Sequence, residues 1–343
     1  NTRVVFSDTR IRVGTDRDGK GALMNQGDTS NRNSRTQRTV RRPAIDPNAE
    51  LRDSRQEDHK VFGLGISNAE TRQPAYGHGV VISLLTAGAV LLLAIIVIGD
   101  GTGDDPPILQ RADRVFWLIS AVVLLLAAGG SQFAERTAAR AAKAVGHPRP
   151  STAMATAWAV PLVSVSAAIM LVATFHNRPM LIIGPLIAFF GTAGALLSRD
   201  LLDEADEQSN RVASVIHTLV VHGIAFLAFS AIYLNKLDTW ISAPLTGLIG
   251  GILILETLER GGIVPPQRVF YAVIGGLVLG QVTVALNWWP SYGWTGGAVL
   301  LVVFYITAGL FLVRAQQSGV RARDLIEFGG VGGLFLLLLA FLA

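Results

Sequence analysis

The stretch VASVIHTLVVHGIAFLAFSAIY, residues 212–233, decides the reading of this chain. It is 22 residues long, almost wholly apolar, and opened by Arg211. A helix of about 20 apolar residues is what a bilayer core of about 30 Å requires. Within it stand two histidines, His217 and His222, which no other apolar stretch of this length carries in its interior. Working outward from it, eight further apolar blocks come at 80–98, 115–133, 153–175, 180–197, 240–258, 269–288, 296–313 and 325–343. The expected fold is therefore all-α: a polytopic transmembrane helical bundle of about nine spans. The block at 180–197, one of the two shortest, is the weakest as a full crossing.

Composition agrees with this. Half the chain is hydrophobic and 16% is charged, against about one quarter in soluble proteins. Residues 1–77 carry 14 Lys and Arg and 10 Asp and Glu, with no helical or strand period. They read as a flexible, basic, disordered cytoplasmic tail, followed by a multi-pass transmembrane domain over 78–343. The arginines Arg35, Arg38, Arg41 and Arg42 in that tail suggest contact with anionic lipid. The expected partners are thus the lipid bilayer, anionic headgroups and other subunits of a membrane complex; no nucleic-acid partner is expected. The chain has no cysteine, which excludes disulfides, thiol catalysis and thiolate-bound metal centres.

With the tail inside and the spans alternating, the inner loops collect eleven Lys and Arg. These are Arg136, Arg140, Lys143, Arg149, Arg199, Arg211, Arg260, Arg268, Arg314, Arg321 and Arg323. The outer loops collect four: Arg111, Arg114, Arg178 and Lys236. The positive-inside rule then puts the N-terminus in the cytoplasm and the C-terminus outside, in a cell membrane. WWPSYGW at 288–294 supplies the interfacial aromatics expected at the outer face.

Inner span ends recur at intervals of 56 to 59 residues, near Thr152, Arg211, Arg268 and Asp324. Gly184-Pro185-Leu186 with Gly191 echoes Ala243-Pro244-Leu245 with Gly250. This suggests repeated helical hairpins after one extra helix. Three GxxxG pairs, Gly247/Gly251, Gly276/Gly280 and Gly329/Gly333, mark faces where helix backbones approach closely.

Ionisable groups inside spans are costly and tend to carry function. At about 100° per residue, Ser214, His217, Thr218 and His222 fall within an arc of about 140° on one helix. They form a candidate intramembrane polar site with Gln281 of the seventh span. A shared metal ion on one helix needs i,i+3 or i,i+4 ligands; the two histidines stand at i,i+5, so no metal or other cofactor is expected. Glu256 and Arg260 read as an interfacial i,i+4 ion pair. HExxH, GxSxG and phosphate-loop signatures are absent.

Three functions follow in order. The first is a transporter or permease for a small solute, with a cavity lined by Ser214, His217, His222 and Gln281. The second is a non-catalytic scaffold or accessory subunit of a membrane complex, with the same residues packed and dry. The third is a lipid-acting membrane enzyme with a histidine base, which needs a carboxylate or nucleophile that the sequence does not place nearby.

Overall fold

The computed structural model describes residues 76–98, 114–144, 156–175, 177–201, 207–235, 237–289, 294–317, 319 and 321–342. The N-terminal tail and its arginines lie outside the described residues. Among those described are nine α-helices and no strand. They are α1 (Tyr76–Ile98), α2 (Arg114–Ala144), α3 (Ala159–Phe175), α4 (Met180–Leu201) and α5 (Glu207–Leu234). The remainder are α6 (Thr239–Arg260), α7 (Pro265–Trp288), α8 (Trp294–Gln316) and α9 (Ala322–Leu342). The protein is an all-helical bundle, and every helix but α3 is long and apolar enough to cross a membrane.

The exception, α3, has 17 residues, at the short end of the spanning range. Its contacts nonetheless reach both ends of the bundle. Thr156, just before it, meets Arg199 and Glu256 near the ends of α4 and α6. At its other end Thr174 accepts a hydrogen bond from Asn235 at 2.9 Å, and Phe175 stacks on Trp294. So the segment from Thr156 to Phe175 reaches from the last turns of α4 and α6 to the end of α5 and the start of α8. The block at 180–197, the weakest crossing by sequence, is the 22-residue α4. Its helix continues through Ser198 and Arg199, because their charge and hydroxyl find partners inside the protein.

Composition explains why α3 lies at the centre. Its Ala, Ser and Val side chains are small, and small residues let neighbouring backbones close in. It touches α1, α2, α4, α5 and α6. It also divides two apolar cores. Val160, Val163 and Ala167 face one, with α5 to α8. Val165, Ala168, Ile169 and Val172 face the other, with α1, α2 and α4.

Boundaries differ from the apolar blocks for local reasons. The helix α2 runs on to Ala144 through AERTAARAAKA, a run of strong helix formers outside the apolar core. The helix α7 starts at Pro265, four residues before the apolar block. Proline is accommodated in a first helical turn, where its missing N–H has no intrahelical partner. Between α6 and α7 the chain reverses in a Schellman-type turn. Ile263 N–H donates to Leu258 O, and Gly262 N–H to Glu259 O. Gly262 takes φ 75°, a left-handed conformation suited to glycine.

The helices α6 and α7 form the closest pair in the bundle. Gly247, Gly251, Gly276 and Gly280 meet across it, and a Cβ on Gly276 would stand 2.5 Å from the Gly247 carbonyl oxygen. Gly329 and Gly333 have open space beside them; in α9 it is Gly332 that packs, against Ile306. Pro185 and Pro244 both occupy the sixth position of their helices, in line with the echo between α4 and α6.

One end of the bundle carries the C-termini of α2, α4, α6 and α8 and is rich in arginine. The opposite end carries the exposed tryptophans Trp240, Trp288 and Trp289, as expected at a headgroup boundary.

Candidate functional site

Near the arginine-rich end, side chains from α4, α5, α6 and the turn before α3 converge on one carboxylate. Glu256 is 1% exposed, and Arg199 is 8% exposed. Arg199 Nη2 donates to Glu256 Oε1 at 2.7 Å and to Oε2 at 2.6 Å. The same nitrogen donates to Thr156 Oγ1 at 3.1 Å, while the Thr156 hydroxyl donates to Glu256 Oε2. Arg260, one turn after Glu256, lies with Nε 3.4 Å from Oε1, and its Nη2 donates to Ser198 Oγ at 2.9 Å. Glu135 of α2 is also buried, and its charge acts on both Arg199 and Arg260. Beside this group Arg268 Nη1 lies 2.9 Å from Glu259 Oε2. Three arginines and three glutamates therefore balance within the cluster.

The helices dictate this meeting. Glu256, Glu259 and Arg260 stand at i, i+3 and i+4, so they share one face of α6. The Gly262 turn then returns the chain so that Arg268, in the first turn of α7, faces Glu259. Arg199 reaches inward because Ser198 and Arg199 lie on the last turn of α4, against α6.

His217 completes the cluster. Its Nδ1 lies 3.4 Å from Ser198 Oγ, and its Nε2 lies 3.8 Å from Glu256 Oε1. A hydroxyl, an imidazole and a carboxylate thus line up, the arrangement that a histidine base would need. The Ser198 hydroxyl, however, is fully buried and donates to Ala195 O at 2.9 Å. It also accepts from Arg260. Five atoms lack a hydrogen-bond partner among the described residues: His217 Nε2, Arg260 Nη1 and, within the Arg268–Glu259 ion pair, Arg268 Nη1 and both Glu259 carboxylate oxygens. Buried polar atoms are nearly always paired, so such exceptions call for a reason.

The residues singled out from sequence separate in space. His217 points into the cluster, whereas Ser214 and Thr218 are exposed on α5. Thr218 donates to Ser214 O at 2.8 Å, within its own helix. His222 Nδ1 lies 2.8 Å from Thr218 O, and its ring meets Phe304 and Tyr305 edge-on. Gln281 is exposed on the outward face of α7, with Val273, Leu277 and Val284. The two described cavities are lined by other residues. The Glu256–Arg260 pair read as interfacial is buried. Residues 102–342 match a family described as "Protein of unknown function (DUF5656)". The chain belongs to this family. The DUF5656 match begins after α1 and takes in α2 to α9, so every residue of the cluster lies within it. No curated protein and no solved structure matches the chain.

Sequence reasoning found His217 and the Glu256–Arg260 pair but missed Thr156, Ser198, Arg199, Glu135, Glu259 and Arg268 as partners. By sequence, Arg199, Arg260 and Arg268 count as loop charges. Without these three, the inner loops still hold eight basic residues against four. A signal was available in Glu256, Glu259 and Arg260, three ionisable groups on one face of an apolar helix.

Proposed function

We propose that this multi-pass membrane protein is a transporter of a small solute, and that the Arg199–Glu256–Arg260–His217 cluster is a polar clasp closing its arginine-rich end. The observation that supports this is a buried, charge-balanced cluster joining at least four helices inside an apolar bundle. Buried ion pairs are a poor route to stability: apolar residues of similar volume often serve as well or better. Their best-attested use is to specify a register or a switch, and ionisable groups within a membrane are functional candidates by default. The unpartnered His217 Nε2 and Arg260 Nη1 are where water enters when the clasp opens. By the excess of basic residues in its loops, this end faces the cytoplasm.

The test uses the absence of native cysteine. Ala195 lies one helical turn deeper than Arg199 and is buried. In the Ala195→Cys variant, a membrane-impermeant thiol reagent added from the arginine-rich side is expected to label the sole thiol. Complete protection from that side overturns the clasp as a gate.

A second reading, an accessory subunit of a membrane complex, is supported by Gln281. Its amide faces outward among apolar side chains, seven residues or about 10 Å from the end of α7. Lipid cannot hydrogen-bond it, and a neighbouring transmembrane helix can. Gln281→Leu is then expected to shift the protein in nanodiscs from an oligomer to a monomer, read by single-molecule photobleaching. A monomer before the substitution argues against this reading.

A further inference from the structure

A cavity of about 440 Å³ lies between α2, α3 and α6, lined by none of the clasp residues, with Ile252 at its inner end one helical turn from Glu256. Trp117, Leu124, Met170, Ile241 and Ile252 line it, with Ser120 and Ser166 as polar points. Ala121 and Leu248 line it and are exposed, so it opens sideways out of the bundle. The Ser166 hydroxyl donates to Leu162 O within its own helix. The Ser120 hydroxyl is 98% buried and has no partner among the described residues. An unpaired hydroxyl beside an apolar cavity is one that an acceptor entering the cavity can satisfy.

The two walls are ordered alike. On α2, Arg114, Trp117, Ala121 and Leu124 follow i, i+3, i+7, i+10 and share one face, with Ser120 beside Ala121. On α6 and the residue before it, Asp238, Ile241, Leu245, Leu248 and Ile252 follow the same spacing. Each wall thus begins with an exposed charge at the tryptophan end, cationic on one side and anionic on the other, and is apolar farther in. The hydroxyl of Ser120 lies six residues, about 9 Å, below Arg114. A glycerophospholipid with a zwitterionic head carries the complementary groups in this order: phosphate and ammonium, then ester carbonyl, then chain.

We propose that this groove binds one zwitterionic glycerophospholipid from the leaflet at the tryptophan end. Arg114 meets its phosphate, Asp238 its ammonium and the Ser120 hydroxyl an ester carbonyl, while one acyl chain fills the cavity down to Ile252 and Leu124. The site is independent of the transport reading.

The test places the full chain in phosphatidylglycerol nanodiscs containing a small fraction of phosphatidylethanolamine with a diazirine at the end of one acyl chain. Irradiation and peptide mapping then locate the adducts. They are expected to concentrate on α2, α3 and α6, around Leu124, Met170 and Ile252. Ala121→Phe, which fills the groove, is expected to remove them. Ser120→Ala, which loses one hydrogen bond and disturbs no packing, is expected to lower occupancy about fivefold. Asp238→Lys is expected to erase the preference over a matched phosphatidylglycerol probe. Adducts spread over all lipid-facing helices and unchanged by Ala121→Phe and Ser120→Ala overturn the proposal. So do adducts replaced by crosslinks to a second copy, or equal labelling by both probes in the native chain.

Discussion

Glu256→Ala is expected to destabilise the protein by about 3–5 kcal/mol, the largest effect of any single substitution in the cluster. The carboxylate accepts from Arg199 through both oxygens and from Thr156, and lies beside Arg260 and His217. Its removal leaves two buried guanidinium groups with Glu135 as their chief counter-charge. Water cannot reach them at low cost, so the folded state carries the desolvation penalty. Thermal unfolding in detergent reads the loss. Glu256→Gln keeps the volume and is expected to behave nearly as badly, because the charge is what the arginines require. A variant that neutralises the charges around Glu256 and keeps the Arg268–Glu259 pair, Glu135→Gln with Arg199→Met, Glu256→Leu and Arg260→Met, is expected to recover most of the stability. A small effect of Glu256→Ala, comparable with a surface substitution, contradicts this account of the cluster.

Gly276→Val is expected to cost about 2–3 kcal/mol, at the upper end of overpacking. A Cβ there stands 2.5 Å from the Gly247 carbonyl oxygen and 3.5 Å from the Gly251 Cα. Backbone atoms cannot turn aside as a side chain does, so α6 and α7 must separate. That separation also draws Glu259 away from Arg268, which ties the clasp to the glycine interface. Gly329→Val, where nothing lies within 4 Å, is expected to stay within about 0.5 kcal/mol. Unfolding of the two variants under one condition decides the matter, and equal losses contradict the assignment of the α6–α7 contact.

Much of the fold is legible in the sequence because the bilayer imposes a length and a composition. Nine apolar blocks map onto nine helices, and the glycines of 247–251 and 276–280 lie at one interface. The helix ends were harder to read. Pro265 and Pro266 look like a break but begin α7, and the alanine-rich run after Phe133 extends α2 beyond the apolar block. The site was legible only in part, for a geometric reason. Hydropathy assigns Ser198, Arg199 and Arg268 to loops, since each stands at the edge of a block. Their burial depends on which helix ends meet, and that is a long-range property. Gln281 shows the converse. It sits deep in an apolar block, yet its face is set by the packing of its neighbour Gly280 against α6, which turns the amide outward.

The proposal that the cluster is a reversible clasp separates from a purely structural role by one comparison. The rate of thiol labelling at Ala195→Cys, with reagent at the arginine-rich side, is measured in the native background and in the four-substitution variant that neutralises the charges around Glu256. The clasp predicts labelling in the native background and its suppression when Arg199, Glu256 and Arg260 are replaced by apolar residues, because no ion pair around Glu256 then remains for water to reopen. Equal rates in the two backgrounds, or protection in both, contradict it.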